Sequence, residues 1–202
     1  MGAMLTNLRN VVAAGFVLTV IIYVLVRLGL GTGIGLDSAL WTFCFRGLHV
    51  ISGTMWIGLL WYFNFVQIPN MDKIPDAQKP AIGKVIAPAA LWWFRWSAMA
   101  TMATGLILAW MNGYLRDALS VGLTDNGSSM PIGIGMWLGI IMLINVWFGV
   151  WPNQNRALGI VDASSEERSA SARAAMLFLR ANTLLSIPML FCMVGMSHGG
   201  FG

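Results

Sequence analysis

Long apolar runs separated by short polar segments set the pattern of this chain: residues 11–31, 39–67, 87–112, 133–152 and 174–197 carry few charges. A membrane-crossing helix needs roughly 20 such residues. The pattern therefore predicts an all-α integral membrane helix bundle of about five transmembrane helices, forming a single membrane domain over 1–202. Polar punctuation marks the helix ends. Ser164-Ser165-Glu166-Glu167 has the Ser-x-x-Glu spacing of a capping box, so the last helix is expected to start near 165, before its apolar run. Pro152 and the polar Asn153-Gln154-Asn155 are expected to end the fourth helix. Pro188 is expected to kink the fifth, and Gly135 and Gly139 present a small-xxx-small face for close helix contact.

Composition agrees with the pattern. Of 202 residues, 57% are hydrophobic and 10% charged, against about a quarter charged in soluble domains. The basic residues set an orientation by the positive-inside rule. With the N-terminus cytoplasmic and the C-terminus outside, Arg9, Lys73, Lys79, Lys84, Arg156, Arg168 and Arg173 are all cytoplasmic, and Arg27 and Arg116 lie opposite. The expected location is the bacterial cell inner membrane, as a multi-pass protein. The net charge of +4 then faces anionic lipid, which makes the lipid bilayer the partner and gives no reason to propose nucleic acid. Cys44 and Cys192 fall inside apolar runs and read as small packing residues. Without a Cys-x-x-Cys-His motif, no covalently attached haem is expected.

The candidate chemistry lies in the charges within the apolar runs. All eight acidic residues fall in loops or at helix edges, whereas Arg46, Arg95 and Arg180 lie inside. A charge at mid-bilayer costs about 2.5 to 3.5 kcal/mol even on the mild insertion scale. Either the arginines snorkel to the headgroups or they hold an anion. In the N-in orientation Arg95, Arg180, Asn145 and Asn182 share the cytoplasmic half, where one polar pocket for a substrate or other anion is expected.

The two histidines, His49 and His198, fall toward the other side. Helical spacing puts Phe45, His49, Gly53, Trp56 and Leu60 on one stripe, so a flat macrocycle could lie against Gly53 with His49 on its iron and Arg46 near a propionate. Close helix packing at Gly53 would require the same glycine. For the opposite axial position, Met193 matches the depth of His49 better than His198 does, and His/Met ligation is a known haem arrangement. The expected cofactor is haem b, with His49, Arg46, Gly53, Trp56, Met193 and His198 as its residues and His49 and His198 as candidate metal ligands.

LHVISGTMWIG (48–58), ALWWFRWSAMATMATG (90–105), INVWFGVWPNQNR (144–156) and RANTLLSIPMLFCMVGMSH (180–198) together resemble the N-terminal membrane domain of the cytochrome-c-fused bacterial urate oxidases. The resemblance covers four of the five runs and implies urate oxidation with electron transfer to a cytochrome c. By resemblance it carries over His49, Trp56, Arg95, Asn145, Pro152, Asn153, Gln154, Asn182, Pro188 and His198. The sequence departs from that pattern in having no cytochrome domain, no His-Gly-Gly-Gly-like segment in NMDKIPDAQKPAIG, and Arg180 where a histidine is expected. A weaker likeness, from His49 to Trp56, links it to small membrane protoporphyrinogen oxidases and copper-resistance membrane proteins.

The expected function is that of a membrane redox protein that binds haem b or a small planar anion and passes electrons to a separate partner, a cytochrome c or a larger membrane complex. The alternative is a non-catalytic accessory subunit packed against such a complex. A transporter fits less well, because there is no internal repeat and no intramembrane acid for proton coupling.

Overall fold

The computed structural model describes residues 5–198, with the side chains of 196–198 outside that description. Every regular element among the described residues is helical. The chain divides into two compact units, Met1–Trp41 and Thr42–Gly202.

The first unit holds α1, Leu8–Gly29, entered through Asn7, whose side chain accepts from the Arg9 amide. No residue of α1 is buried. Phe16, Val20 and Leu25 stand about half exposed or more, a surface suited to lipid and not to water. Arg27 closes the helix: Nε donates to the Gly33 carbonyl at 3.0 Å and Nη2 to that of Thr32 at 3.3 Å. Its charge thus sits at the negative end of the helix dipole.

The remaining main helices are α2 (Ser38–Trp61), α3 (Ala87–Met111), α4 (Leu115–Leu119), α5 (Met130–Ile144), α6 (Trp151–Ala157) and α7 (Ser165–His198). Asp37 caps α2 by accepting from the Leu40 amide at 2.9 Å. Four helical stretches are long and apolar enough to cross a membrane: Leu8–Gly29, Ser38–Lys73, Met130–Ala157 and Ser165–Gly195. The fifth expected run forms α3, which has 25 residues. Its hydropathy is lowered by Arg95 and by Trp92, Trp93, Trp96 and Trp110, whose indoles favour an interface over the hydrocarbon centre.

Pro152 does not end its helix. α5 passes through a π segment, Asn145–Val150, into α6, with Pro152 near the start of α6. The same order recurs twice: the π segment Tyr62–Gln67 precedes Pro69, and Ile82–Ile86 precedes Pro88. Proline offers no N–H to the turn before it, and its ring collides with the carbonyl four residues back. Widening that turn to π spacing relieves the collision and keeps the helix continuous. Neighbouring asparagines take up carbonyls in these stretches: Asn153 donates to Gly149 at 2.8 Å, and Asn64 donates to Leu60 at 3.0 Å and across to Leu179 of α7 at 3.4 Å.

The start of α7 is a complete capping box. The Ser164 amide donates to Glu167 Oε2 at 2.8 Å, and the Glu167 amide donates to Ser164 Oγ at 3.2 Å. Ser164→Ala is expected to remove one half of this exchange and cost about 1 kcal/mol, measurable as a lower thermal unfolding midpoint in detergent. An unchanged midpoint would show that the cap adds nothing to stability.

Within the second unit the core is built from Trp56, Leu60, Phe63, Phe94, Met142, Val146 and Leu179. Phe63 meets Phe94 edge-on at 5.7 Å, joining the π segment after α2 to α3. α5 and α7 approach closely at Gly135, where a Cβ would lie 3.0 Å from the Cys192 Cβ and 3.5 Å from the Met189 carbonyl oxygen.

Candidate functional site

His49 on α2 leans on α3. Its Nδ1 lies 2.9 Å from the Thr101 carbonyl oxygen and 3.2 Å from Thr104 Oγ1. A carbonyl only accepts, and the Thr104 hydroxyl proton is directed to the Ala100 carbonyl at 2.7 Å. Nδ1 therefore carries the proton in the neutral ring, and Nε2 keeps a lone pair. Gly105 makes this approach possible: a Cβ there would lie 2.9 Å from His49 Cε1 and 3.2 Å from Nδ1.

His49 stands on the wall of a cavity of about 520 Å³ between α2, α3, α5 and α7. Its volume falls within the roughly 300–1,000 Å³ of small-molecule sites. Gly53, Trp56, Met102, Met136, Met189 and Met193 share the wall with the imidazole. Four glycines, Gly53, Gly58, Gly105 and Gly139, also line it, which leaves flat stretches of helix backbone between the larger side chains. Trp56 is only 1% exposed, and its Nε1 is buried without an acceptor. A buried donor left without an acceptor costs free energy, so the ring is held there by its packing.

The expected residues therefore fall into several groups. His49, Gly53, Trp56 and Met193 meet around one cavity. Arg46, one turn before His49, is exposed and does not line it. The side chain of His198 lies outside the described residues. Asn145 donates to Asn182 Oδ1 at 2.9 Å, and Asn182 donates to the Met142 carbonyl at 3.1 Å. Asn182 is fully buried and Asn145 half-buried, and the pair ties α7 to the turn where α5 passes into its π segment. Arg180 is exposed on α7.

Arg95 stands apart, ringed by indoles: its guanidinium carbon is 3.7 Å from the Trp151 ring centre, 4.8 Å from Trp147 and 5.4 Å from Trp96. These cation–π contacts hold the charge in a setting without a carboxylate. The one ion pair among the described residues joins Lys79 to Asp76.

No family model, curated protein or solved structure matches the chain. The site is therefore read from its own chemistry. Among the described residues no three His, Cys, Asp or Glu side chains come together. A haem iron, already held by its macrocycle, needs only one or two protein donors. Thr101, Thr104 and Gly105 were not among the expected site residues. The signal for them is the small-residue run ATMATG, which sets Thr101 and Gly105 four apart on one face of α3.

Proposed function

We propose that this chain is a multi-pass redox protein of the bacterial inner membrane, related to the urate oxidase membrane domain, which binds haem b in the His49 cavity. Its N-terminus is cytoplasmic, its C-terminus is outside, and its electrons pass to a separate partner, a cytochrome c or a larger complex. The observation that carries this reading is the 2.9 Å contact of His49 Nδ1 with the Thr101 carbonyl oxygen, which leaves the lone pair of the neutral ring on Nε2. Metal-ligating histidines almost always donate their other N–H to a carbonyl, carboxylate or water, which orients the ring and raises its basicity. The Thr101 carbonyl supplies that partner here.

The residues around the cavity fit the group. His49 Nε2 is one donor and Met193 sulfur is a candidate for the other. The glycine-rich walls suit a flat ring, and the remaining lining is largely apolar. Arg46 is the cation closest in sequence to His49 and would meet a propionate reaching out of the cavity. When bound, the haem supplies one-electron transfer. Among the described residues no arginine lines the cavity, so the apolar macrocycle is favoured there over a small planar anion.

Detergent-solubilised protein from haem-replete cells is expected to show a Soret band that shifts on dithionite reduction. His49→Ala should lose the band while keeping its helical circular dichroism. Wild-type protein with no Soret band and no haem by pyridine haemochrome assay would overturn the reading.

A second reading, an accessory subunit of a larger membrane complex, is favoured by one observation. Arg180 is exposed in the middle of α7, a costly place for a charge facing lipid and a suitable one facing a partner. It predicts that His49→Ala changes neither spectrum nor co-purification, whereas Arg180→Leu disrupts co-purification.

A further inference from the structure

A guanidinium has two faces and an edge, and each makes a different demand. The faces attract aromatic rings, and Trp151, Trp147 and Trp96 meet that demand at Arg95. The edge carries five in-plane N–H donors that no ring satisfies. At Arg95 the Nε donor is buried and has no acceptor. Trp147, one wall of the cage, also has its Nε1 donor buried without an acceptor. Both orphaned groups are donors, one belongs to a cation, and no carboxylate among the described residues pairs with that cation.

Two unsatisfied donors beside an uncompensated positive charge call for an oxygen-bearing anion. We propose that Arg95 and Trp147 form an oxyanion site, which takes a phosphate group along the guanidinium edge with the Trp147 N–H as an added donor. Arginine is suited to this because its fork matches two oxygens at once. Trp151 stands immediately before Pro152 and the polar Asn153-Gln154-Asn155, which puts the cage at the polar end of the α5–α6 helix. There the phosphate could belong to a lipid headgroup or to a soluble solute. The proposal does not depend on haem binding at His49, because neither Arg95 nor Trp147 lines the His49 cavity, and its test reads anion binding without reference to a spectrum.

The test is thermal unfolding of the full chain in a neutral detergent, titrated separately with dioleoylphosphatidylglycerol, dioleoylphosphatidylcholine and inorganic phosphate. A saturable rise in midpoint is expected for the wild type. A rise with either lipid alone assigns the site to a headgroup, and a rise with inorganic phosphate assigns it to a solute. Trp147→Phe keeps the ring and removes only the N–H, so it should fold and weaken half-saturation about tenfold, as for a hydrogen bond to a charged group. Arg95→Lys, which loses the fork, should weaken it further. No saturable rise with any of the three probes would overturn the proposal, as would equal half-saturation in wild type, Trp147→Phe and Arg95→Lys.

Discussion

Gly133→Leu is expected to lower the thermal unfolding midpoint of the detergent-solubilised protein by about 6–12 °C. That follows from about 3 kcal/mol of overpacking at 2–4 °C per kcal/mol for a chain of this size. A Cβ at Gly133 would run into the Ala118 carbonyl oxygen and lie 3.0 Å from the Val121 Cα. These are backbone atoms and cannot rotate aside. The Ala118 carbonyl accepts from the Val121 amide at 2.9 Å, Val121 holds a left-handed φ of 55°, and Trp137 Nε1 pins the Leu119 carbonyl to α5 at 3.0 Å. Yielding to the new side chain therefore means breaking the turn after α4. Gly139→Ala is the control, because its Cβ would meet only the Met102 Cε, at 3.6 Å, an ordinary contact. Equal midpoints for the two variants would refute the account.

Gly105→Ala should have the opposite profile, with a small change in stability and a large loss of ligand. The atoms it meets belong to the imidazole of His49, which can swing away from α3. Swinging breaks the hydrogen bond to the Thr101 carbonyl and re-aims Nε2. Losing such an orienting partner typically costs 10- to 100-fold in metal affinity. Under the proposed haem-binding function, the haem-to-protein ratio, titrated by pyridine haemochrome assay, should therefore fall by about tenfold or more while the unfolding midpoint moves by only a few degrees. A variant that retains full haem would show that the contact with α3 does not position the ligand.

The elements most readable in the sequence were those governed by local chemistry. The capping box at Ser164 and Glu167 is visible because both partners lie within one turn. Gly135 announces a close approach, although not that Cys192 and Met189 of α7 fill it, whereas Gly139 on the same face meets only the Met102 Cε at an ordinary 3.6 Å. The stripe from His49 to Leu60 was legible as a helix face, and its buried end at Trp56 and Leu60 fits that reading. Less legible was whatever depends on a second helix. The lining of Arg95 by Trp147 and Trp151, four residues apart on the α5–α6 helix, and the hold of Thr101 on His49, fifty-two positions away, are products of tertiary packing. Asn145 and Asn182 looked like members of a polar pocket with Arg95, yet they bond to each other. Side-chain amides carry both donors and acceptors and can satisfy one another, whereas an arginine cannot. The π segments have a sequence signal after all, in prolines inside long apolar runs, but Pro188 in α7 shows that proline alone does not dictate one.

Each π turn admits one residue more than an α turn would. Whatever follows it along the helix is consequently turned by about 100° relative to an unbroken α-helix. Three of the helical stretches in the second unit therefore change azimuth part-way along their length. The faces that meet at the His49 end and those that meet at the Arg95 end need not follow the same periodicity. This lets one set of helices present apolar, methionine-rich walls at one level and tryptophans around a cation at another.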